Sequence, residues 1–341
     1  MTKFQPLSAK LGEVKFRQKL VKQHQGKKVF YPTHTTASEN LALLKQRSEK
    51  TLKIFKVLKR KRIPLSPFME LGGEKCERAA VLTSKMNCQG AAIDLSAESL
   101  KSATKFCPQI GLKKLPLRIC ADAYHLPFAN NSLPFIFTFQ TLHHFPNPKP
   151  ILREIYRVLA LGGYFYFDEE PVKQTFNISL WRRDYHLRWW EKMLKAILIL
   201  PFISTIGKSE VSEGILEETF DLSTWEKALD LFDQIEAKLI PYPFGPKTKI
   251  KKGKTGWLKP NLATKILISL LGGGIKALCQ KKGEFKASQQ NIFQFLACPD
   301  CLTKIKKTKS HFKCPKCQQK YPIKNDIFYL LPKNLMKKLY P

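Results

Sequence analysis

Long apolar runs are scarce in this chain of 341 residues. The two longest, residues 196–206 and 266–275, are interrupted by Pro201 and by Gly272-Gly273-Gly274. Both fall short of the roughly 20 residues that cross a bilayer, so no transmembrane segment is expected. The first residues lack the charged-then-apolar pattern of a secretory signal, and a cytoplasmic protein with reduced thiols is expected. Acidic side chains are also few: 27 against 59 lysines and arginines, for a formal net charge of +32. A hydrophobic content of 43% nonetheless excludes a disordered chain. The length suits two domains, or one with substantial additions.

The shortage of acids is uneven. Residues 1–64 carry 17 basic and 3 acidic side chains, and residues 290–341 carry 11 and 2. Residues 65–170 are nearly balanced, with 11 and 10. Basic extensions around a neutral middle suit a nucleic acid or an anionic membrane surface. A generally lysine-rich composition gives the same numbers without any binding patch.

Within the balanced middle, three apolar runs each end in a small or acidic residue. Pro67-Phe68-Met69-Glu70-Leu71-Gly72-Gly73 is followed by helix-compatible composition over residues 74–85. Gly90-Ala91-Ala92-Ile93-Asp94 leads into a helical pattern over residues 96–106, and Leu117-Arg118-Ile119-Cys120-Ala121-Asp122 comes third. This spacing reads as parallel βαβ units. Ligands of such sheets sit beyond the carboxyl ends of the strands, where Gly72, Asp94 and Asp122 fall. Asp94 lies about 20 residues beyond the glycine turn, the spacing at which a carboxylate meets ribose hydroxyls. The turn lacks the three glycines of a dinucleotide site, however, and Glu74 would bring negative charge to a pyrophosphate.

These residues resemble the class I S-adenosylmethionine-dependent methyltransferases, in particular the group that includes the quinone-biosynthesis enzymes. Glu70-Leu71-Gly72, Asp94 and Asp122-Ala123-Tyr124-His125-Leu126-Pro127-Phe128 carry the likeness. It continues through a fourth strand at residues 131–138, a turn Leu142-His143-His144-Phe145-Pro146-Asn147-Pro148, a helix at 151–159 and a fifth strand after Gly162-Gly163. The resemblance implies an α/β, Rossmann-like fold with a seven-stranded sheet, and S-adenosyl-L-methionine as cofactor. It places Glu70 and Gly72 at the methionine end, Asp94 at the ribose, and Asp122 and Ala123 at the adenine, with Gly73 and Leu95 also among the cofactor-binding residues. Candidates for handling an acceptor's proton are His143, His144, Glu169, Glu170 and Tyr124. The alternatives are a structural turn for the histidines and a basic helix of the same chain bound by the carboxylates. Glu74 and Cys76 stand where the family has its second and third glycines. The Asn/Asp-Pro-Pro-Tyr signature of amino methyltransferases is absent after strand four, which counts against adenine N6 and glutamine amide acceptors. Three functions follow: a methyltransferase for RNA or a ribosome-associated protein, one for a lipid or small molecule, or a cofactor-dead scaffold.

Around this middle the chain divides into a basic extension and helix at 1–64, a methyltransferase domain at 65–290 and a module at 291–341. Residues 1–35 lack clear periodicity and read as poorly ordered or draped on the surface. A helix over 38–64 is expected to cover the cofactor mouth. Residues 172–230 read as a helical insertion, whose Leu180–Lys192 stretch interleaves aromatics with arginines. Such a stretch stacks bases, lies at a membrane interface or packs as a lid on the core. Residues 232–241 read as a strand, 245–258 as a loop, and 261–279 as a helix broken at Gly272.

Two C-x-x-C pairs, Cys298/Cys301 and Cys314/Cys317, are separated by twelve residues. Each puts two thiolates on one turn, and together they suit a tetrahedral Zn2+ cage, with iron as the alternative. The remaining cysteines share no such spacing and read as small buried hydrophobes. Tyr321-Pro322-Ile323 and Leu330-Leu331-Pro332 resemble the ending of the small zinc-binding proteins that activate methyltransferases. That likeness implies a fused zinc-ribbon module with a structural metal.

Overall fold

A computed structural model describes residues 4–23, 37–173, 216–241, 248–253, 256–285 and 291–341, with isolated positions at 189, 190 and 193. The Leu180–Lys192 stretch lies almost wholly outside the described residues.

Three strands, β1 (Phe68–Leu71), β2 (Gly90–Asp94) and β3 (Leu117–Cys120), run parallel, as the apolar runs predict. On the other side of β1 lies β4 (Leu133–Phe139), parallel to it and buried at every position. Such continuous burial is what strands covered on both faces require. Next come β5 (Leu159–Val172), β6 (Gln234–Pro241), β7 (Thr248–Lys251) and β8 (Gly273–Gln280). The order across the sheet is β7-β6-β8-β5-β4-β1-β2-β3, with β8 antiparallel to both β5 and β6. Strand order reverses between β1 and β4, which opens a crevice at their carboxyl ends.

One face is covered by α2 (Ala37–Arg60), α3 (Glu77–Met86) and α4 (Ala97–Phe106), around Phe55, Phe68, Phe135 and Phe137, all fully buried. The opposite face carries α5 (Pro148–Val158) and α6 (Leu222–Leu229), whose Trp225 stacks on Phe167 with centroids 5.4 Å apart. Ser96 caps α4 by accepting the Ser99 N–H, and Asn147 caps α5 by accepting that of Lys149.

Four sequence expectations are corrected. Residues 1–35 are not wholly draped: Leu7–Gln23 form a helix, α1, packed near α4. The lysine-rich loop at 245–258 contains β7, paired with β6. The helix α7 (Leu262–Leu271) ends at Gly272, and the chain continues as β8 rather than as a second helical half. The expected seven strands are exceeded: β7 is an eighth at one edge, and the sheet also continues beyond β3. After the cysteine turns, β9 (Lys306–Lys307), β10 (His311–Lys313), β11 (Lys320–Lys324) and β12 (Ile327–Tyr329) form an antiparallel set. β12 pairs in parallel with β3, Phe328 opposite Ile119, so twelve strands make one continuous sheet. A last helix, α8 (Lys333–Leu339), delivers Tyr340, whose hydroxyl donates to the Leu95 carbonyl at 2.8 Å and accepts the Ala97 N–H.

Candidate functional site

The turn after β1 follows a glycine-type path with only the first of the pattern's three glycines, Gly72. Gly72 sits at φ +71°, and a Cβ there would lie 2.3 Å from Thr141 Oγ1. Glu74 at φ 41° and Cys76 at φ 59° also take left-handed backbone, at the two places where the family has glycine. Each costs on the order of 1–2 kcal/mol. Local bonds hold the path: Gly73 N–H donates to Ile93 O at 2.8 Å and Glu74 N–H to Asp94 Oδ2 at 2.8 Å. Only one of the two odd side chains, Glu74, lines the crevice. Cys76 is fully buried, and Glu74 turns to Arg17 and Lys75 at 3.1 and 3.3 Å. Burial alone would raise Glu74, but Lys75 and Arg17 hold it at about 2.

What remains is a cavity of about 520 Å³ at the strand ends, within the range of ligand sites. All seven residues expected around the cofactor line it: Glu70, Gly72, Gly73, Asp94, Leu95, Asp122 and Ala123. Glu70 accepts the Ala79 N–H in the first turn of α3 at 2.9 Å, and its burial pushes it up to about 8. Asp94 accepts from Glu74 and Ser96 N–H, both at 2.8 Å. Burial, with Glu13 nearby, pushes it up to about 7. Asp122 is held low despite burial, by His125 and by Lys10.

Sequence reasoning missed α1 as part of the site. Its Lys10, Glu13 and Arg17, spaced three and four residues apart, share one face. Lys10 Nζ lies 2.6 Å from Asp122 Oδ2, Glu13 raises Asp94, and Arg17 reaches Glu74. Tyr124 is drawn into the same contact. Its hydroxyl accepts the Gln5 N–H at 2.9 Å, Lys10 lies 4.9 Å over its ring, and burial pushes it up to about 12. Tyr124 therefore docks α1. The expected cover from α2 is also present: its Arg47 lines the cavity and Lys50 reaches Glu169 at 2.7 Å.

The other end of the crevice is formed by the turn after β4 and the end of β5. The three carboxylates there do different things. Asp168 takes Tyr166 Oη at 2.6 Å and Lys276 at 3.1 Å. Glu169, at φ 65°, pairs with Lys50 of α2 and with Arg78 of α3 at 2.9 Å, so basic helices of the same chain occupy it. Glu170 is fully buried and accepts three successive backbone N–H groups, from Thr141, Leu142 and His143. It also accepts from His143 Nδ1 at 2.9 Å. Burial opposes its charge, yet His143 and those amides leave it below the usual range. His143 and His144 line the cavity, their ring centroids 4.2 Å apart. Burial and His143 push His144 down to about 4. Glu217, which sequence reasoning also missed, faces both rings: its Oε2 is 3.7 Å from His143 Nε2 and its Oε1 is 3.3 Å from His144 Nδ1.

The four cysteines of the C-terminal module converge as their spacing predicts. Cys298 and Cys317 Sγ lie 3.6 Å apart, and Cys301 and Cys314 Sγ lie 3.4 Å apart. A tetrahedron with metal–sulfur bonds of about 2.3 Å has edges of about 3.8 Å, so this donor set fits a zinc-sized ion. Tyr321 Oη, bonded to both Cys298 Sγ and Asp300, braces the cage from behind.

Comparison with known proteins agrees with the crevice. Residues 70–167 match the family described as "Methyltransferase domain". Among curated proteins, the chain is 29% identical over 85 residues to sterol methyltransferase-like 1 of Botryococcus braunii, covering 25% of this chain and 22% of that protein. It is 29% identical over 99 residues to methyltransferase GfsG of Streptomyces halstedii, covering 29% and 36%. The chain thus spans about a third or less of the length of these relatives. Among solved structures, a Haloferax volcanii complex of the Trm112 methyltransferase activator with a protein classed as a methyltransferase aligns over 83% of this chain and 100% of that one. Its identity is 13% and its TM-score 0.41. The matched segment, residues 70–167, supplies the strand ends at which the crevice opens and is similar to methyltransferase domains.

Proposed function

We propose that the protein is an S-adenosylmethionine-dependent methyltransferase whose acceptor is polar, an RNA or a ribosome-associated protein. The observation that carries the cofactor reading is the cavity itself, where the close-packed Gly72 turn, Asp94 and Asp122 face one space. Asp94 would take ribose hydroxyls, and Asp122 with the Ala123 amide would take the adenine edge. Bound there, the cofactor supplies a methyl group on a sulfonium, open to in-line displacement by an acceptor held in position. Lys10 must then release Asp122 or share it. His143, which lines the cavity, is the residue for the acceptor's proton: Glu170 accepts from Nδ1, so Nε2, 3.7 Å from Glu217 Oε2, is the basic nitrogen. The Cys298/Cys301/Cys314/Cys317 cage would hold Zn2+ structurally, since four thiolates leave no position for a reactant.

The polar acceptor is supported by the cavity wall. Glu74, Glu77, Glu169, Arg17, Arg47 and Arg78 all line it, a surface that would desolvate poorly against a sterol. The basic extensions, with 17 and 11 positive side chains, suit an acceptor embedded in a polyanion. Against a lipid acceptor stands this charge; for it stands the sterol methyltransferase relative. Fractionated cell extract with labelled S-adenosylmethionine separates them. Label in RNA or ribosomal protein is the expected result, and label confined to the lipid fraction overturns the acceptor assignment.

A further inference from the structure

The histidine pair and Glu217 form a second donor cluster, distinct from the four cysteines. One nitrogen of each histidine and one carboxylate oxygen of Glu217 all lie within 4.8 Å of one another. The two measured edges, 3.3 and 3.7 Å, bracket the roughly 3.4 Å between ligands of a tetrahedral ion with bonds of about 2.1 Å. The cluster also has an outer shell. Glu170, fully buried and fixed by three backbone N–H groups, holds Nδ1 of His143, which directs Nε2 at Glu217. A carboxylate behind a histidine is the arrangement that orients an imidazole for a metal.

The segment that carries Glu217 is tied down by backbone contacts. The neighbouring Glu218 N–H donates to the His143 carbonyl at 2.8 Å, and Phe220 bridges to Val172 at the end of β5. The Leu216 carbonyl oxygen lies 2.9 Å from His144 Nδ1, beside the three donors. We propose that His143, His144 and Glu217 bind a divalent transition ion of the zinc class at the acceptor end of the cavity. Two imidazoles and a carboxylate suit such an ion, and three protein ligands leave a position open to a reactant. In the metal-free protein His144 Nδ1 donates to Leu216; on binding, that proton leaves to solvent. An ion on Nε2 of His143 also removes that nitrogen from proton transfer.

Metal binding here does not rest on the methyl-transfer reading, and the test keeps the two apart. The full chain, stripped and refolded, is titrated with Co2+ while absorbance is followed, and zinc content is then measured after Zn2+ loading and desalting. Expected for the unchanged protein are two equivalents per chain: one with thiolate-to-metal charge transfer, one with only weak visible bands. His144→Ala and Glu217→Gln should each lose the second equivalent, or weaken it at least tenfold, and keep the first. The retained thiolate spectrum is the control for folding. S-adenosylmethionine binding, measured on the same variants by calorimetry, should stay within threefold. A single equivalent in the unchanged protein, or two equivalents that persist in both variants, overturns the site. Loss of cofactor binding in the unchanged protein would instead overturn the methyltransferase reading and leave the metal count standing.

Discussion

Two carboxylates at opposite ends of the crevice, Asp122 and Glu170, are held by different means. At the β2 and β3 end, Asp122 is answered by a side chain of α1, Lys10, and the turn's Glu74 by Arg17. At the β4 and β5 end, Glu170 is answered by three backbone N–H groups and an imidazole. Side-chain partners can be exchanged for a ligand, whereas an amide nest built into a turn cannot. The comparison assigns exchange to Asp122 and fixed geometry to Glu170; Asp94, which accepts the Glu74 and Ser96 N–H groups, is held by backbone as Glu170 is.

The largest effect is expected where the fixed end is broken. Glu170→Ala removes the acceptor from three buried N–H groups and His143. With each orphaned group costing about 1–3 kcal/mol, stability should fall by roughly 4 kcal/mol in denaturant unfolding. A loss under about 1 kcal/mol would mean that the turn re-forms its bonds elsewhere.

A pH series sharpens the cofactor end. Glu70 stays protonated in the folded protein up to about 8, against 4.5 for an ordinary glutamate. Between those values the unfolded chain ionises and the folded chain does not, so stability falls as pH rises through the window and levels off above it. Glu70→Gln should remove that slope. The difference between pH 5 and pH 8 should shrink by roughly 3 kcal/mol in parallel denaturant titrations.

Lys10→Met tests exchange directly. Removing the ammonium from Asp122 should tighten S-adenosylmethionine by about tenfold, or 1.4 kcal/mol, in calorimetry. Weaker binding would make Lys10 part of the cofactor site rather than its competitor. The smallest effect is expected from Glu74→Gly. It relieves about 1 kcal/mol of left-handed strain but gives up partly exposed pairs worth about 0–1 kcal/mol, leaving stability within about 1 kcal/mol of the parent.

What was legible in the sequence divides along similar lines. β1, β2 and β3 were readable because each apolar run stops at the residue that faces the crevice: Gly72, Asp94 and Asp122. The cysteine cage was readable because four donors on two turns have one economical geometry. The helix α1 was not, because only Ala9 and Val14 of its described apolar residues are buried and its other contacts run through Lys10, Glu13 and Arg17; that spacing is visible only once the acids it meets are known. Glu217 lies far along the chain from the histidines it faces, a pairing that only the return of the chain to β5 creates. The strand β12 was part of a recognised ending, but its partner β3 was not, since a strand's sequence does not name its neighbour.

The central claim, that the crevice between β1, β2 and β3 receives an adenosyl sulfonium, is tested most directly by calorimetry of S-adenosylmethionine with the full zinc-loaded chain and with Asp94→Ala. The expected result is one binding event per chain, weakened by about a hundredfold, or 2.7 kcal/mol, in the variant. No binding to the unchanged chain, or equal binding to both, would contradict it.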